Sequence, residues 1–417
     1  MSISTFSTKF QNWTSGNHDI DEFIQKAQLN AKNNRSVIEW IEYDNFEDIE
    51  YLAKGGFGTT FKAVWKDGPW TRERNYRNNN GQLIRNGKTK VALKCLHDSQ
   101  GITADFLKEV ESNILVYSTY STGKVVRCFG ITKDPKTNNF MMVMELKDSS
   151  LRQYLNNNFI SMNWEEKLYR LFCIASGLKD IHNQGLIHHD FHCGNILSTF
   201  HNACITDLGL CQPANAKSSQ NNNKKIYGVL PYVAPEVLKG KEYTQASDIY
   251  GYGIIAYEIC TGFPPYYDIA HDEFLAMKIC NGLRPKCDYK IPQLIVDIIN
   301  QCWDADPLKR PNADEIKELM YSLYCDINLE KRDSIIYWQV KKADEINKKL
   351  SSTVQLPLTS TNTLSYTSHS QAIYTSRLLD YKNLPEPKNV DNSNGIEYSE
   401  SIKVDFTKLN INSKDCA

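Results

Sequence analysis

Ile187, His188, His189, Asp190, Phe191, His192, Cys193, Gly194, Asn195, Ile196, Leu197 is the stretch on which the reading of this chain turns. It crowds one carboxylate, one amide, three imidazoles and a thiol into the length of a loop. With His182 just upstream, the histidines and Cys193 raise a metal-ligand reading. An isolated carboxylate, by contrast, is usually just solvated. Downstream come Asp207 within Thr206, Asp207, Leu208, Gly209, then Ala234, Pro235, Glu236, then Asp248, Ile249, Tyr250, Gly251, Tyr252, Gly253.

Working back toward the N-terminus, Val91, Ala92, Leu93, Lys94 reads as a strand. Residues two apart share a strand face, so Ala92 leaves room beside the Lys94 cation. Further back, Ala53, Lys54, Gly55, Gly56, Phe57, Gly58 reads as a strand-turn-strand. Its glycines let backbone N–H groups approach phosphate oxygens with no side chain in the way. Glycine-rich hairpins and strand lysines are each common on their own; order and distance give them weight.

The wider composition is that of a globular protein. The 417 residues are 41% hydrophobic and 23% charged, with a formal net charge of −1, which argues against nucleic acid and anionic membrane as partners. Met1 to Phe10 shows no charged stretch followed by an apolar one. No apolar run approaches the ~18 residues needed to cross a bilayer, so no membrane segment and a cytoplasmic or nuclear location are expected. The twelve cysteines nowhere fall in C-x-x-C spacing and read as scattered reduced thiols.

Four zones are expected. Residues 1–45 form a partly helical extension, with a short helix at Ile20 to Leu29 and an apolar patch at Val37 to Ile41. Residues 46–325 carry dense apolar periodicity: strands at Phe57 to Val64 and Lys90 to Leu96, an Asn-rich solvated hairpin loop at Asn75 to Asn86, then helices. Asn163 and Glu166 form a capping pair ahead of a helix striped by Leu168, Leu171, Ala175, Leu178 and Ile181. Residues 326–350 are a charged helical segment, and 351–417, rich in Ser, Thr and Asn, a mostly disordered tail. A small β-rich part before a larger α-rich part means α+β, with two lobes and a cleft.

Taken in order, these motifs resemble a eukaryotic protein kinase domain over roughly Phe46 to Cys325. The flavour resembles the tyrosine-kinase-like group of Ser/Thr kinases. The ends (Trp13, Thr14, Ser15, Gly16, Asn17; Leu384, Pro385, Glu386, Pro387) look like the expanded kinase-like families of arbuscular mycorrhizal fungi. The resemblance implies the protein kinase fold, with a small β-rich N-lobe, a larger α-helical C-lobe and an ATP cleft between them. It implies ATP and Mg²⁺ as cofactors and a protein substrate. Ala53 to Gly58 would cover the triphosphate, with Ala92 beside the nucleotide. Lys94 would hold the α and β phosphates, fixed by Glu109, which sits in the family's Phe-x-x-Glu position; Glu111 is the alternative. Asp190 would orient the substrate hydroxyl and take its proton. Asn195 and Asp207 would ligate Mg²⁺, whose preference for oxygen suits an amide and a carboxylate. Met144 resembles the gatekeeper, with Glu145, Leu146 and Lys147 as the hinge toward adenine. Glu236 and Arg310 match a buried structural ion pair. The same pattern accounts for the histidines without a metal.

Departures from the pattern are informative. Ala53 replaces the first loop glycine, and Asn113 falls where the family usually places an apolar spine residue. His189 stands where regulated kinases carry an Arg that receives an activation-loop phosphate. Imidazole lacks the guanidinium fork, so strict dependence on phosphorylation of Ser218, Ser219 or Tyr227 is not expected. His192 and Val229 stand where Ser/Thr kinases usually place Lys and Thr, yet Gly228 to Val233 looks more like the Ser/Thr type than the Tyr type. The expected function is transfer of the γ-phosphate of MgATP to Ser/Thr hydroxyls in intracellular signalling. The alternative is a pseudokinase scaffold or nucleotide-binding interaction module.

Overall fold

A computed structural model of the chain describes residues 13–55, 58–72, 83–96, 103–118, 121–199, 202–213, 226–286, 288–353 and 366–389. The chain divides into two units, Met1–Lys147 with Thr206–Cys211, and Asp148–Ile205 with Gln212–Ala417.

In the first unit, α1 (His18–Leu29) starts at Asn17, whose side chain accepts from the N–H groups of Asp19 and Ile20. Ile20 and Ile24 give it a buried face. The chain then lays down β1 (Glu39–Trp40), β2 (Phe46–Lys54), β3 (Gly58–Trp65), β4 (Trp70–Arg72), β5 (Leu83–Arg85), β6 (Thr89–Leu96), α2 (Ala104–Ser118), β7 (Cys128–Lys133) and β8 (Phe140–Glu145). A six-stranded sheet runs β1-β7-β8-β6-β3-β2. β1 pairs with β7 in parallel, and the other neighbours are antiparallel. One face of the sheet is built from Ile41, Trp65, Val91, Leu93, Phe129 and Val143, all buried.

Two strands expected at 57–64 and 90–96 appear here as β3 and β6. The short hairpin β4–β5 flanks the Asn-rich insertion, whose Asn75 to Gln82 lie outside the described residues. The extension does more than precede the sheet: β1 is one of its strands. Arg85 from the hairpin grips Glu39 of β1 through two nitrogens at 2.8 and 2.7 Å. A two-residue strand carries no periodicity, which is why composition alone leaves it unseen.

The second unit is mostly helical. Its elements are β9 (Ser149–Ser150), α3 (Leu151–Asn158), α4 (Trp164–His182), β10 (Leu186–Ile187), β11 (Ile196–Thr199), β12 (Asn202–Ile205), β13 (Gln212–Pro213), β14 (Ile226–Gly228), α5 (Pro235–Leu238), α6 (Gln245–Thr261), α7 (Glu273–Cys280), α8 (Gln293–Cys302), α9 (Ala313–Asn328), α10 (Ile335–Thr353) and β15 (Arg377–Leu379). The stripe Leu168, Leu171, Ala175, Leu178 and Ile181 is buried along α4, against which α9 packs. Only half of the expected capping pair forms. Asn163 accepts from the Glu166 N–H at 2.8 Å, while the Glu166 carboxylate accepts from Arg170, whose guanidinium is buried, and from Tyr154. Glu236 and Arg310 form a buried bidentate pair at 2.7 and 2.8 Å.

The expectation of a mostly disordered tail does not extend to residues 366–389, which pack along the helical unit. Tyr366 sits against Phe263 and Tyr267, the Tyr374 hydroxyl donates to Pro265 O at 2.9 Å, β15 pairs with β14, and Leu379 and Leu384 are buried. The apolar and aromatic residues of this stretch are spaced without period. They dock individually onto a preformed surface, so the polar average of the tail conceals them. Among the described residues no helix is long and apolar enough to cross a membrane.

Candidate active site

β6 is flanked by β3 and β8, so its alternation is fixed on both sides. Val91 and Leu93 face the core, and Ala92 and Lys94 share the other face. Lys94 Nζ donates to Glu109 Oε1 at 2.7 Å and to Asp207 Oδ1 at 2.9 Å. Burial alone would lower the Lys94 ammonium, but the carboxylates of Asp207 and Glu109 overcome this and hold it above its ordinary value. Burial pushes the Glu109 carboxyl up, against the pull of Lys94, so the charge on Glu109 depends on that ammonium. Glu111, the other candidate, is exposed. Gly209 leaves room beside this pair, since a Cβ there would lie 3.0 Å from Glu109 Oε2, a tight contact.

Helix α2 holds Glu109 in place through Asn113, one turn on and on the same face. The Asn113 amide donates to Val126 O at 2.9 Å and accepts from Cys128 N at 2.8 Å. This pairing explains how a polar residue occupies a buried position where the family pattern has an apolar one.

In the glycine-rich segment, Ala53, Lys54 and Gly55 are exposed, and Gly55 N donates to Gly58 O at 2.8 Å. Gly58 is needed by strand packing: a Cβ would lie 2.3 Å from Cys95 O. Gly56 and Phe57 lie outside the described residues. Met144 is buried and registers with Ala92. The Glu145 N–H donates to Arg127 O at 2.9 Å, which removes one donor from the set expected to face adenine; Leu146 follows directly.

The helical unit assembles a second set of groups. Asp248 of α6 accepts from the main-chain N–H of His188 at 2.8 Å and of His189 at 3.2 Å, and lies 2.9 Å from His182 Nε2. These bonds pin the loop that carries Asp190. The His189 ring stacks on Tyr243, with centroids 4.4 Å apart. Asn195 Nδ2 donates to Asp190 O at 2.9 Å and Asp190 Oδ2 at 3.1 Å. Both partners only accept, so the amide orientation follows, and oxygen is the atom Asn195 can offer elsewhere.

His192 Nδ1 accepts from Gly194 N at 3.0 Å, which makes Nε2 the protonated nitrogen. That Nε2 lies 3.4 Å from Asp190 Oδ2 and 3.2 Å from Ser376 Oγ, and Ser376 Oγ donates to Asp190 Oδ2 at 2.5 Å. Burial alone would raise the Asp190 carboxyl; the His192 ring and the Ser376 hydroxyl outweigh it and hold the group at about 2. Asp190 is therefore charged at neutral pH.

Sequence reasoning missed the Asn113 clamp, the approach of Ser376, and the buried network in which Arg152 donates to Tyr232 OH at 2.6 Å while Tyr232 OH donates to Glu258 Oε2 at 2.5 Å. An isolated buried Asn or Ser leaves no periodic trace. The apolar cluster Leu378, Leu379 and Leu384 inside a polar tail was the available signal for the last segment.

Residues 46–320 match the family described as protein tyrosine and serine/threonine kinase, and the chain belongs to that family. The match ends a few residues short of the 325 expected from periodicity. A probable serine/threonine-protein kinase of Dictyostelium discoideum is 28% identical over 305 residues, covering 69% of this chain and 30% of the relative. A dual specificity protein kinase of the same organism is 28% identical, covering 76% of this chain and 43% of its own length. A tyrosine-protein kinase of Girardia tigrina is 26% identical, covering 69% and 54%. The chain spans less than half the length of the Dictyostelium relatives it matches. The family uses ATP with Mg²⁺ and acts on proteins.

Proposed function

We propose that this chain is an active protein kinase of the tyrosine-kinase-like group, resembling the expanded fungal families, that transfers the γ-phosphate of ATP to Ser or Thr hydroxyls in protein substrates. The observation that carries it is the Lys94 ammonium held at once by Glu109 and Asp207. A buried cation kept charged and aimed by two carboxylates suits phosphate oxygens.

Each candidate ligand suits a hard divalent cation by its own chemistry: the Asp207 carboxylate keeps Oδ2 beyond its Lys94 contact, and Asn195, whose amide nitrogen is spent on Asp190, has its amide oxygen to give. Mg²⁺, when bound, neutralises charge on the transferring phosphates. Lys94 then holds the phosphates, Glu109 orients Lys94, and Ala53 and Lys54 at the exposed end of β2, with Gly55 and Gly58, supply backbone groups near them; Gly56 and Phe57 belong to the same proposed set. Ala92, Met144, Glu145 and Leu146 would border the base. Asp190, ionised and fixed by Asn195, orients the acceptor hydroxyl and takes its proton.

A Ser/Thr preference is supported by reach. The short Ser376 side chain reaches Asp190 Oδ2 at 2.5 Å from the position just before the strand that pairs onto β14. A reducing, cytoplasmic setting is supported by ten cysteines among the described residues, all free and buried.

The test is γ-phosphate transfer to a generic basic protein by wild type and by Asp190→Asn. A loss of about 10²- to 10⁴-fold is expected. Equal signals would leave a binding module instead, and phosphotyrosine as the sole product would overturn the Ser/Thr preference.

A further inference from the structure

Residues 366–389 form a strap over the helical unit whose course is set by backbone bonds. His369 N donates to Tyr267 O at 2.8 Å, His271 N to Gln371 O at 3.0 Å, and Lys388 N to Cys280 O at 2.9 Å. Between these anchors β15 adds to β14 as an antiparallel strand, with Gly228 opposite Arg377 and Ile226 opposite Leu379. Strand addition of this kind is how an extended peptide is read by main-chain bonds while its side chains fill separate pockets. Leu379 is buried, and the Tyr374 ring lies under the Arg152 guanidinium at 4.5 Å. The register puts Ser376, the residue before the strand, with Oγ 2.5 Å from Asp190 Oδ2.

We propose that this strap occupies the chain's own acceptor-peptide site and that Ser376 is its intramolecular phosphoacceptor. The inference rests on the kinase reading above. A blocking segment needs no nucleophile at this point, whereas here a hydroxyl sits against the ionised carboxylate. Ser376 Oγ forms a bond to the γ-phosphorus of a nucleoside triphosphate as the bond from that phosphorus to the β–γ bridging oxygen breaks. The electron pair leaves with the diphosphate, and the hydroxyl proton passes to Asp190 Oδ2 and on to solvent. The product phosphate would carry close to two negative charges beside Asp190, which expels the strap and opens the site to other proteins. Because donor and acceptor share one chain, the rate is set by effective rather than bulk concentration.

The full chain, dephosphorylated, is incubated with MgATP over an about tenfold range of chain concentration, and phosphate is located by site-resolved mass spectrometry. Phosphate on Ser376 with an unchanged rate constant is expected, and an Asp190→Asn chain mixed with wild type stays unmodified there. Modification of that Asp190→Asn chain would overturn the intramolecular route. Hydrogen exchange without nucleotide supplies a readout independent of catalysis: slow amides at Arg377–Leu379 in wild type, faster in Leu379→Asp and Ser376→Glu. Fast exchange in the wild type overturns the docked strap. Transfer to an added basic protein with Ser376 unmodified overturns the acceptor assignment alone. No transfer to either overturns the kinase reading and the acceptor together.

Discussion

Asn113 is bonded to Cys128 through its side-chain oxygen and to the carbonyl of Val126 through its side-chain nitrogen, so one buried amide closes both main-chain groups flanking Arg127. Asn113→Leu restores the apolar residue of the family pattern but orphans a buried donor and a buried acceptor. A loss of roughly 1–3 kcal/mol per group is expected, read by urea unfolding, together with reduced phosphate transfer as Glu109 loses its support.

Lys94→Met removes the only ammonium that touches Glu109 and Asp207 among the described residues. Glu109, pushed up by burial, then takes up a proton. Transfer to a basic protein should fall by about 10²- to 10³-fold with a far smaller change in unfolding midpoint.

Asp190 sits at about 2 in the folded chain against an ordinary 3.8. A lowered folded value means the unfolded chain binds the proton first as pH falls. The stabilisation is complete above about pH 4 and disappears as pH drops through about 2. It amounts to about 2 kcal/mol. Wild type should therefore lose that much more stability than Asp190→Asn between pH 5 and pH 2 in urea unfolding; parallel losses would contradict it.

Arg310→Leu leaves Glu236 as a buried, uncompensated carboxylate. The cost should be about 3–5 kcal/mol, larger than for the double replacement Glu236→Leu, Arg310→Leu, and a double-mutant cycle in denaturant reads the difference.

A chain bearing Ser218→Ala, Ser219→Ala and Tyr227→Phe should retain transfer to a basic protein within about threefold of wild type, because the His189 ring is stacked on Tyr243 and has no guanidinium fork to receive a phosphate. Loss of activity in that variant would show that a phosphate on this segment is required.

What the sequence made legible was chemistry carried by residue type at a spacing. The stripe of α4 announces itself by period, whereas Lys94, Asp190 and Asn195 are ordinary residues singly and gain their roles from the ordered set of motifs that resembles a protein kinase domain. The family's Phe-x-x-Glu position points to Glu109 ahead of Glu111, and the structure seats Glu109 against Lys94 while Glu111 is exposed. What stayed hidden was whatever depends on one residue meeting main chain far away. Asn113 on the backbone around Arg127, β1 as a two-residue parallel partner, and Ser376 at Asp190 are long-range meetings with no local signature.

The parallel pairing of Glu39 and Trp40 with β7 bears on where this domain may safely be cut. A chain trimmed to the first residue of the family match would bare the main-chain groups of β7 as a sheet edge and take from the Arg85 guanidinium its carboxylate partner Glu39, leaving it the Gly68 carbonyl and the Trp65 and Trp70 rings. Uncovered edges invite pairing with other chains. The smallest soluble fragment should begin ahead of α1, and fragments beginning at Phe46 should aggregate.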